Sequence, residues 1–274
     1  RALDYWQAQG FAITLVNPAE TGVVSARAIE AVLDDDVCLV SVMSANNETG
    51  VLQPVSEIAQ AAHAAGALFH TDAVQAAGHV RLNAEASGID MLSISAHKFH
   101  GPKGVGALVC RTREGAEPLI YGGGQERGRR SGTENVPGIV GLAAALEEAC
   151  ETMEEDANRI RRLRDCLETR LEQIEGAYVV GKATPRVPGI SNVCFGGFDH
   201  QALIPLLDAR GVCASAGSAC SAGAVKTSHV LRAMGVSESL AKGSVRFSLS
   251  ADTTQEDVDA AAAAMHEIAA TLKR

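Results

Sequence analysis

The spacing of apolar and polar positions changes period repeatedly along this chain. At 37–44, VCLVSVMS is a continuous β-rich apolar run, the pattern of a strand buried on both faces. PVSEIAQAAHAAG follows. Pro54 suits a first helical turn, Ile58, Ala61, Ala62 and Ala65 form one face, and Gly66 suits the stop. Short strand patterns recur at ALFH (67–70), DMLSIS (90–95) and VGALVC (105–110). Ahead of them all, RALDYWQAQGFAITLV (1–16) reads as a helix running into a strand. A first residue Arg1 inside such a pattern leads us to expect that the chain begins within a longer protein.

Alternating strand and helix predicts an α/β fold with a mostly parallel sheet and ligands at the carboxyl ends of its strands. A Gly- and Arg-rich loop, YGGGQERGRRSGTEN (121–135), closes this half. From about Val136 to Ile174 the period becomes helical: Ile139, Leu142, Leu146, Cys150, Met153, Ile160, Leu163, Leu167 and Leu171 recur on one stripe. GISNVCF and SVRFSLS then read as strands, and a last helix starts near Thr254 to bury Val258, Ala262, Met265, Ile268 and Leu272. We place a boundary near Pro137, with a large domain over 1–136 and a smaller α+β domain over 137–274.

Composition narrows the classes. The chain is 46% hydrophobic and 21% charged, as globular proteins are. Its net charge of -9 argues against a general nucleic-acid or anionic-membrane binder, and no apolar run is long enough to cross a bilayer. The seven cysteines are odd in number and scattered, without a CxxC pair or zinc-like spacing. We therefore expect a reducing, cytoplasmic setting, no metal site, and most cysteines as core filler. Cys220 stands apart, in SAGSACSAG (215–223), without a large apolar neighbour to bury it.

Several stretches carry candidate chemistry. In SISAHKFHGPKGVG (93–106) a strand ends at Ser95 and is followed at once by His97 and Lys98. Lys98 is either a surface lysine at a turn or an amine placed to form a Schiff base. In FHTDAVQAAG, Asp72 is either a helix N-cap or the carboxylate that pyridoxal phosphate needs against its ring nitrogen, with Gln75 in reach of the ring hydroxyl. Asn46 and Asn47 in SANNETG are either turn residues or amide donors to a substrate carboxylate. Arg246 is either a surface residue or a carboxylate clamp. The loop 127–133 is either solvated or a phosphate contact through Thr133, and RIRRLR (159–164) reads as a solvated face.

Taken together, NNETG, HTDAVQ, SAHKFHGPKGVG, GGGQERGRRSGTEN, SAGSAC and VRFSLS occur in one order over about residues 40–250. In that order they resemble the cysteine desulfurases, in the class V aminotransferase group of fold type I pyridoxal-phosphate enzymes. The resemblance implies roles for single residues. Lys98 is similar to the lysine that binds the cofactor, Asp72 to the ring-nitrogen partner and Gln75 to the ring-hydroxyl partner. Ser95 and His97 resemble phosphate ligands. Thr133 resembles a threonine that reaches the phosphate of a neighbouring subunit, which implies a homodimer. Asn47 and Arg246 resemble the groups that hold the substrate carboxylate, and Cys220 the catalytic cysteine.

The reaction so implied converts L-cysteine to L-alanine and leaves a persulfide on Cys220 for a sulfur-acceptor protein, as in iron–sulfur cluster assembly. It further implies that residues 218–228 are mobile. The chain departs from the family in two ways. A preceding stretch with a Gly/Thr phosphate loop and a ring-stacking histidine is not in this sequence, and Gln125 stands where some relatives have histidine. A selenocysteine lyase or another class V enzyme would keep Lys98 and Asp72, and a non-catalytic scaffold or inactive fragment would use neither. A nucleotide-binding domain is disfavoured, because no G-x-G-x-x-G or P-loop pattern follows a strand.

Overall fold

The computed structural model describes residues 2–111, 117–217 and 227–272. It opens with helix α1 (Ala2–Ala8) and the short helix α2 (Ala26–Glu30), whose cap is the Ser25 hydroxyl accepting from the Ala28 N–H. Strand β1 (Leu39–Ser41) leads to helix α3 (Val55–Ala64), then to β2 (Leu68–Asp72), β3 (Met91–Ser95) and β4 (Gly106–Cys110). Their spatial order is β1-β2-β3-β4, with the first three parallel and β4 antiparallel to β3. Helix α3 stops where Gly66 takes φ 78°, a left-handed turn that favours glycine.

Helix α4 (Val136–Leu171) follows, started by the Asn135 side chain accepting from the Gly138 N–H and by Pro137 in the first turn. Then come β5 (Ala177–Val179), β6 (Ile190–Phe195), α5 (His200–Asp208), α6 (His229–Ala233), α7 (Glu238–Ala241), β7 (Ser244–Ser248) and α8 (Gln255–Leu272). Strands β5, β6 and β7 make a second, antiparallel sheet.

Each sheet has its own core. Ile58, Phe69, Ile89 and Leu92 are buried between the first sheet and α2 and α3. Leu167, Leu171, Phe195, Leu203, Leu207, Met265 and Ile268 fill the space between the second sheet and α4, α5 and α8. Each such side chain contributes roughly 1.5–3 kcal/mol by leaving water. The two halves are joined near residue 186. Val51 bridges Arg186, and the Arg186 guanidinium makes a bidentate pair with Glu168 at 2.7 and 2.9 Å, both side chains buried.

The structure departs from the sequence pattern in places, each for a physical reason. Residues 11–16 form no strand, because among the described residues no neighbour pairs with them; Phe11 and Leu15 are exposed. The run 37–44 yields a strand only at Leu39–Ser41, and it is buried on one face rather than two, since among the described residues α2 and α3 cover one side only. Of the six described cysteines only Cys194 is buried, so most are not core filler. Burial pushes the Cys194 thiol up to about 12, against a smaller opposing effect of its hydrogen bond with Ser244. The 159–164 run is not merely a solvated face. Arg164 is buried and donates to the Val187 carbonyl at 3.1 Å, and Arg159 donates to the carbonyls of Thr253 and Ala251. The stripe on α4 is buried at its C-terminal end, whereas Ile139 and Cys150 are exposed, as is Leu272 on α8. No helix among the described residues is long and apolar enough to cross a membrane.

Candidate active site

Strands β2 and β3 end side by side, with Asp72 in register with Ser93. The Asp72 carboxylate accepts from the Val74 N–H at 2.9 Å, which turns the chain out of the strand towards Gln75. Strand β3 ends at Ser95, whose Oγ lies 2.9 Å from His97 Nδ1. The 3-10 turn Ala96–Phe99 carries Lys98. Ala96 and Phe99 lock that turn by burial against Ala77, Leu142, Ala145, Leu146 and Ala149, and Lys98 is left half-buried. Gly78 must be small here: its φ is 76°, and a Cβ would stand 2.8 Å from the Phe99 Cβ.

From the second half, β7 brings Arg246. Its Nη1 donates to the Asn47 carbonyl at 2.8 Å, and its backbone exchanges hydrogen bonds with Ser215 at 3.1 and 2.7 Å. Its Nε is buried without a protein acceptor. A buried donor left so costs about 1–3 kcal/mol unless a ligand or water takes it. Gln75, His79, His97, Lys98, Arg246 and Ser248 line one cleft. The asparagine pair divides its labour. Asn46 is the turn residue, its Oδ1 accepting from the N–H groups of Glu48 and Thr49, and Asn47 is the one tied to Arg246.

The fold thus brings Gln75, His97, Lys98 and Arg246 together. Asn47 attaches through Arg246, and Asp72 and Ser95 stand at adjacent strand ends. Thr133 is exposed in the 121–135 loop and does not line this cleft. Cys220, and with it most of the stretch expected to be mobile, lies outside the described residues; Ser228, at the end of that stretch, is buried and hydrogen-bonded.

Histidines surround the site. His79 Nε2 donates to the Lys98 carbonyl at 2.9 Å. Burial holds its pKa below the ordinary value; that hydrogen bond opposes the shift, while His100 and Lys98 add to it. His70 joins three strands, with Nδ1 2.8 Å from Ser41 Oγ and Nε2 2.9 Å from Ser93 Oγ. Burial lowers its pKa too, against the pull of Asp72.

A model of the Aminotransferase class-V family matches residues 2–261. The chain is 46% identical over 275 residues to a cysteine desulfurase of Gluconacetobacter diazotrophicus, which takes in 99% of this chain and 69% of that protein. The chain belongs to the class V aminotransferase family, among the cysteine desulfurases. A solved NifS-like protein superposes with TM-score 0.88 at 39% identity, over 99% of this chain and 71% of that one. A second solved structure, SspA in complex with cysteine, superposes with TM-score 0.75 at 31% identity, over 92% of this chain and 70% of that one.

As a cysteine desulfurase relative, the chain has partly or fully buried polar residues that motif reading passed over, and one of them, His79, is bonded to the Lys98 backbone. His70, His79 and Glu48 all lie in or beside the quoted motifs. The available signal was their type: a histidine or glutamate beside a strand end needs a partner if it is buried.

Proposed function

We propose that this chain carries the cofactor- and substrate-binding residues of a pyridoxal-phosphate-dependent cysteine desulfurase. The observation that carries the reading is the convergence of Lys98, Gln75, His97 and Arg246 on one cleft at the strand ends, with the Arg246 Nε left without a protein acceptor. The donor set fits the cofactor: a carboxylate at Asp72 for the ring nitrogen, Gln75 for the ring hydroxyl, and Ser95 and His97 for the phosphate. When bound, pyridoxal phosphate supplies an electron sink for charge at the substrate carbon.

The chain's own residues do the remaining work. Arg246 and Asn47 hold the substrate carboxylate, which satisfies the orphaned Nε. Lys98 moves protons at the substrate carbons. Cys220, as thiolate, attacks the substrate's sulfur: an S–S bond forms, the carbon–sulfur bond breaks, and the carbon takes up a proton on the way to alanine. The persulfide then passes to an acceptor protein. Exposed Thr133 serves the phosphate site of a second subunit in a homodimer. Residues 1–136 hold the cofactor, and 137–274 carry the cysteine segment.

The test is mass spectrometry after incubation with L-cysteine and pyridoxal phosphate. A persulfide adduct on Cys220, lost in Cys220→Ala together with alanine formation, is the expected result. Alanine made by Cys220→Ala at the wild-type rate overturns the assignment.

A further inference from the structure

Glu48 is 2% exposed, a rare setting for a carboxylate. The Ser228 hydroxyl donates to its Oε2 at 2.5 Å and itself accepts from the Leu231 N–H as the cap of α6. The Glu48 backbone carbonyl accepts from Asn192 Nδ2 at 3.2 Å, and Asn192 Oδ1 accepts from Ser244 Oγ at 3.1 Å. Gly217 packs on the same carboxylate: a Cβ there would stand 2.7 Å from Glu48 Oε2 and 3.3 Å from Asn192 Nδ2. Gly217 and Ser228 flank the segment that contains Cys220. Two residues before Gly217, Ser215 is bridged to Arg246 on β7, and one residue before Glu48, Asn47 accepts from the same arginine.

We propose that Glu48 is a positioning residue that clamps both stems of the Cys220 segment against the strand bearing Arg246. The inference rests on the reading of Cys220 as nucleophile. Chain length shows which stem matters. Cys220 lies three positions after Gly217, a reach of at most about 11 Å, whereas the eight positions on to Ser228 allow about 29 Å. The Gly217 stem sets where the thiol can go, and Glu48 holds that stem beside the substrate-carboxylate pair. Ser228, donating to the Glu48 carboxyl group at 2.5 Å, secures the far stem.

The test uses the pyridoxal-phosphate-loaded protein with Glu48→Ala, Ser228→Ala, Ser228→Thr, Gly217→Ala and the Glu48→Ala/Gly217→Ala pair. Persulfide formation on Cys220 is expected to fall roughly tenfold or more in the three single variants that loosen or crowd the clamp. The cysteine concentration that half-saturates the visible cofactor spectrum should move less than about threefold. Ser228→Thr keeps the hydroxyl and should restore the rate. Gly217→Ala should cost less when Glu48 is already alanine, because its Cβ then has room. Alkylation of Cys220 by iodoacetamide, without cofactor or substrate, should change in the same variants. Additive effects in the Glu48/Gly217 pair, or persulfide rates within about twofold of wild type in all three variants, overturn the clamp. If Glu48→Ala does not fold, Ser228→Ala against Ser228→Thr, with Gly217→Ala, decides alone. Wild-type alanine formation by Cys220→Ala would instead overturn the nucleophile reading, so the two failures are separable.

Discussion

His79 Nε2 donates to the backbone carbonyl of Lys98 across 2.9 Å. A side chain from the turn after β2 thereby holds the turn after β3, and the proposed cofactor lysine is fixed through its backbone while its amine stays available. His79→Ala should destabilise the fold by about 0.5–1.5 kcal/mol, the usual worth of one hydrogen bond, and weaken cofactor retention. His79→Gln, whose amide can donate, should recover most of both. Thermal melts and pyridoxal-phosphate release measure the pair. Equal loss in the two variants would show that the bond to Lys98 is not what matters.

Burial holds His70 and His79 below their ordinary pKa. Their unfolded forms take up a proton near about pH 6.5, and their folded forms only at lower pH. Between those points the unfolded chain binds more protons, so stability rises with pH there. The contribution is whole above about 6.5 and is lost as the pH falls through the folded values. Urea unfolding at pH 7.5 and 5.5 should show the decline, and the His70→Gln/His79→Gln double variant should flatten it. An unchanged slope in that variant would refute the assignment.

The buried Arg186–Glu168 pair predicts an asymmetric result. Glu168→Ala strands the buried Arg186 guanidinium and should cost about 3–5 kcal/mol in denaturant unfolding. Replacing both partners, with Glu168→Leu and Arg186→Met, should recover much of that loss. A double variant as weak as the single one would argue that the pair itself is net stabilising.

Arg246→Ala removes the orphaned Nε and the link to Asn47 together. Losing a charged hydrogen bond to substrate costs about 1.5–3 kcal/mol, so KM for L-cysteine should rise about ten- to a hundredfold. Arg246→Lys should recover little, since an ammonium cannot make the planar paired contact. Steady-state kinetics decide it, and a KM unchanged in Arg246→Ala would remove Arg246 from the substrate site.

Much of the fold was legible in the sequence because the signals were local. Helix α3 between Pro54 and Gly66, strand β3 ending at Ser95 and helix α4 from Val136 all emerge close to where period and caps put them. What period could not reveal was the supply of neighbours. Among the described residues, Phe11–Val16 has strand-like composition but no ladder partner, and Leu39 and Ser41 are open on one face because helices cover only the other. The site was legible by residue type, and the cleft does unite Gln75, His97, Lys98 and Arg246. Glu48 and His79 escaped because their partners, Ser228 and the Lys98 carbonyl, are 180 and 19 residues away. Spacing along the chain carries no record of such pairs.

Helix α4 has a mechanical consequence. One end packs on Phe99, beside Lys98, and the other is embedded in the core beneath the sheet that bears Arg246. It is a single rod of 36 residues, about 54 Å long. Helices bend sharply at proline, at glycine–serine pairs or at bulges, and residues 142–171 contain neither proline nor glycine. The two walls of the cleft are therefore mounted on one beam. A shift of the lysine wall relative to the arginine wall would have to bend or tilt this one helix.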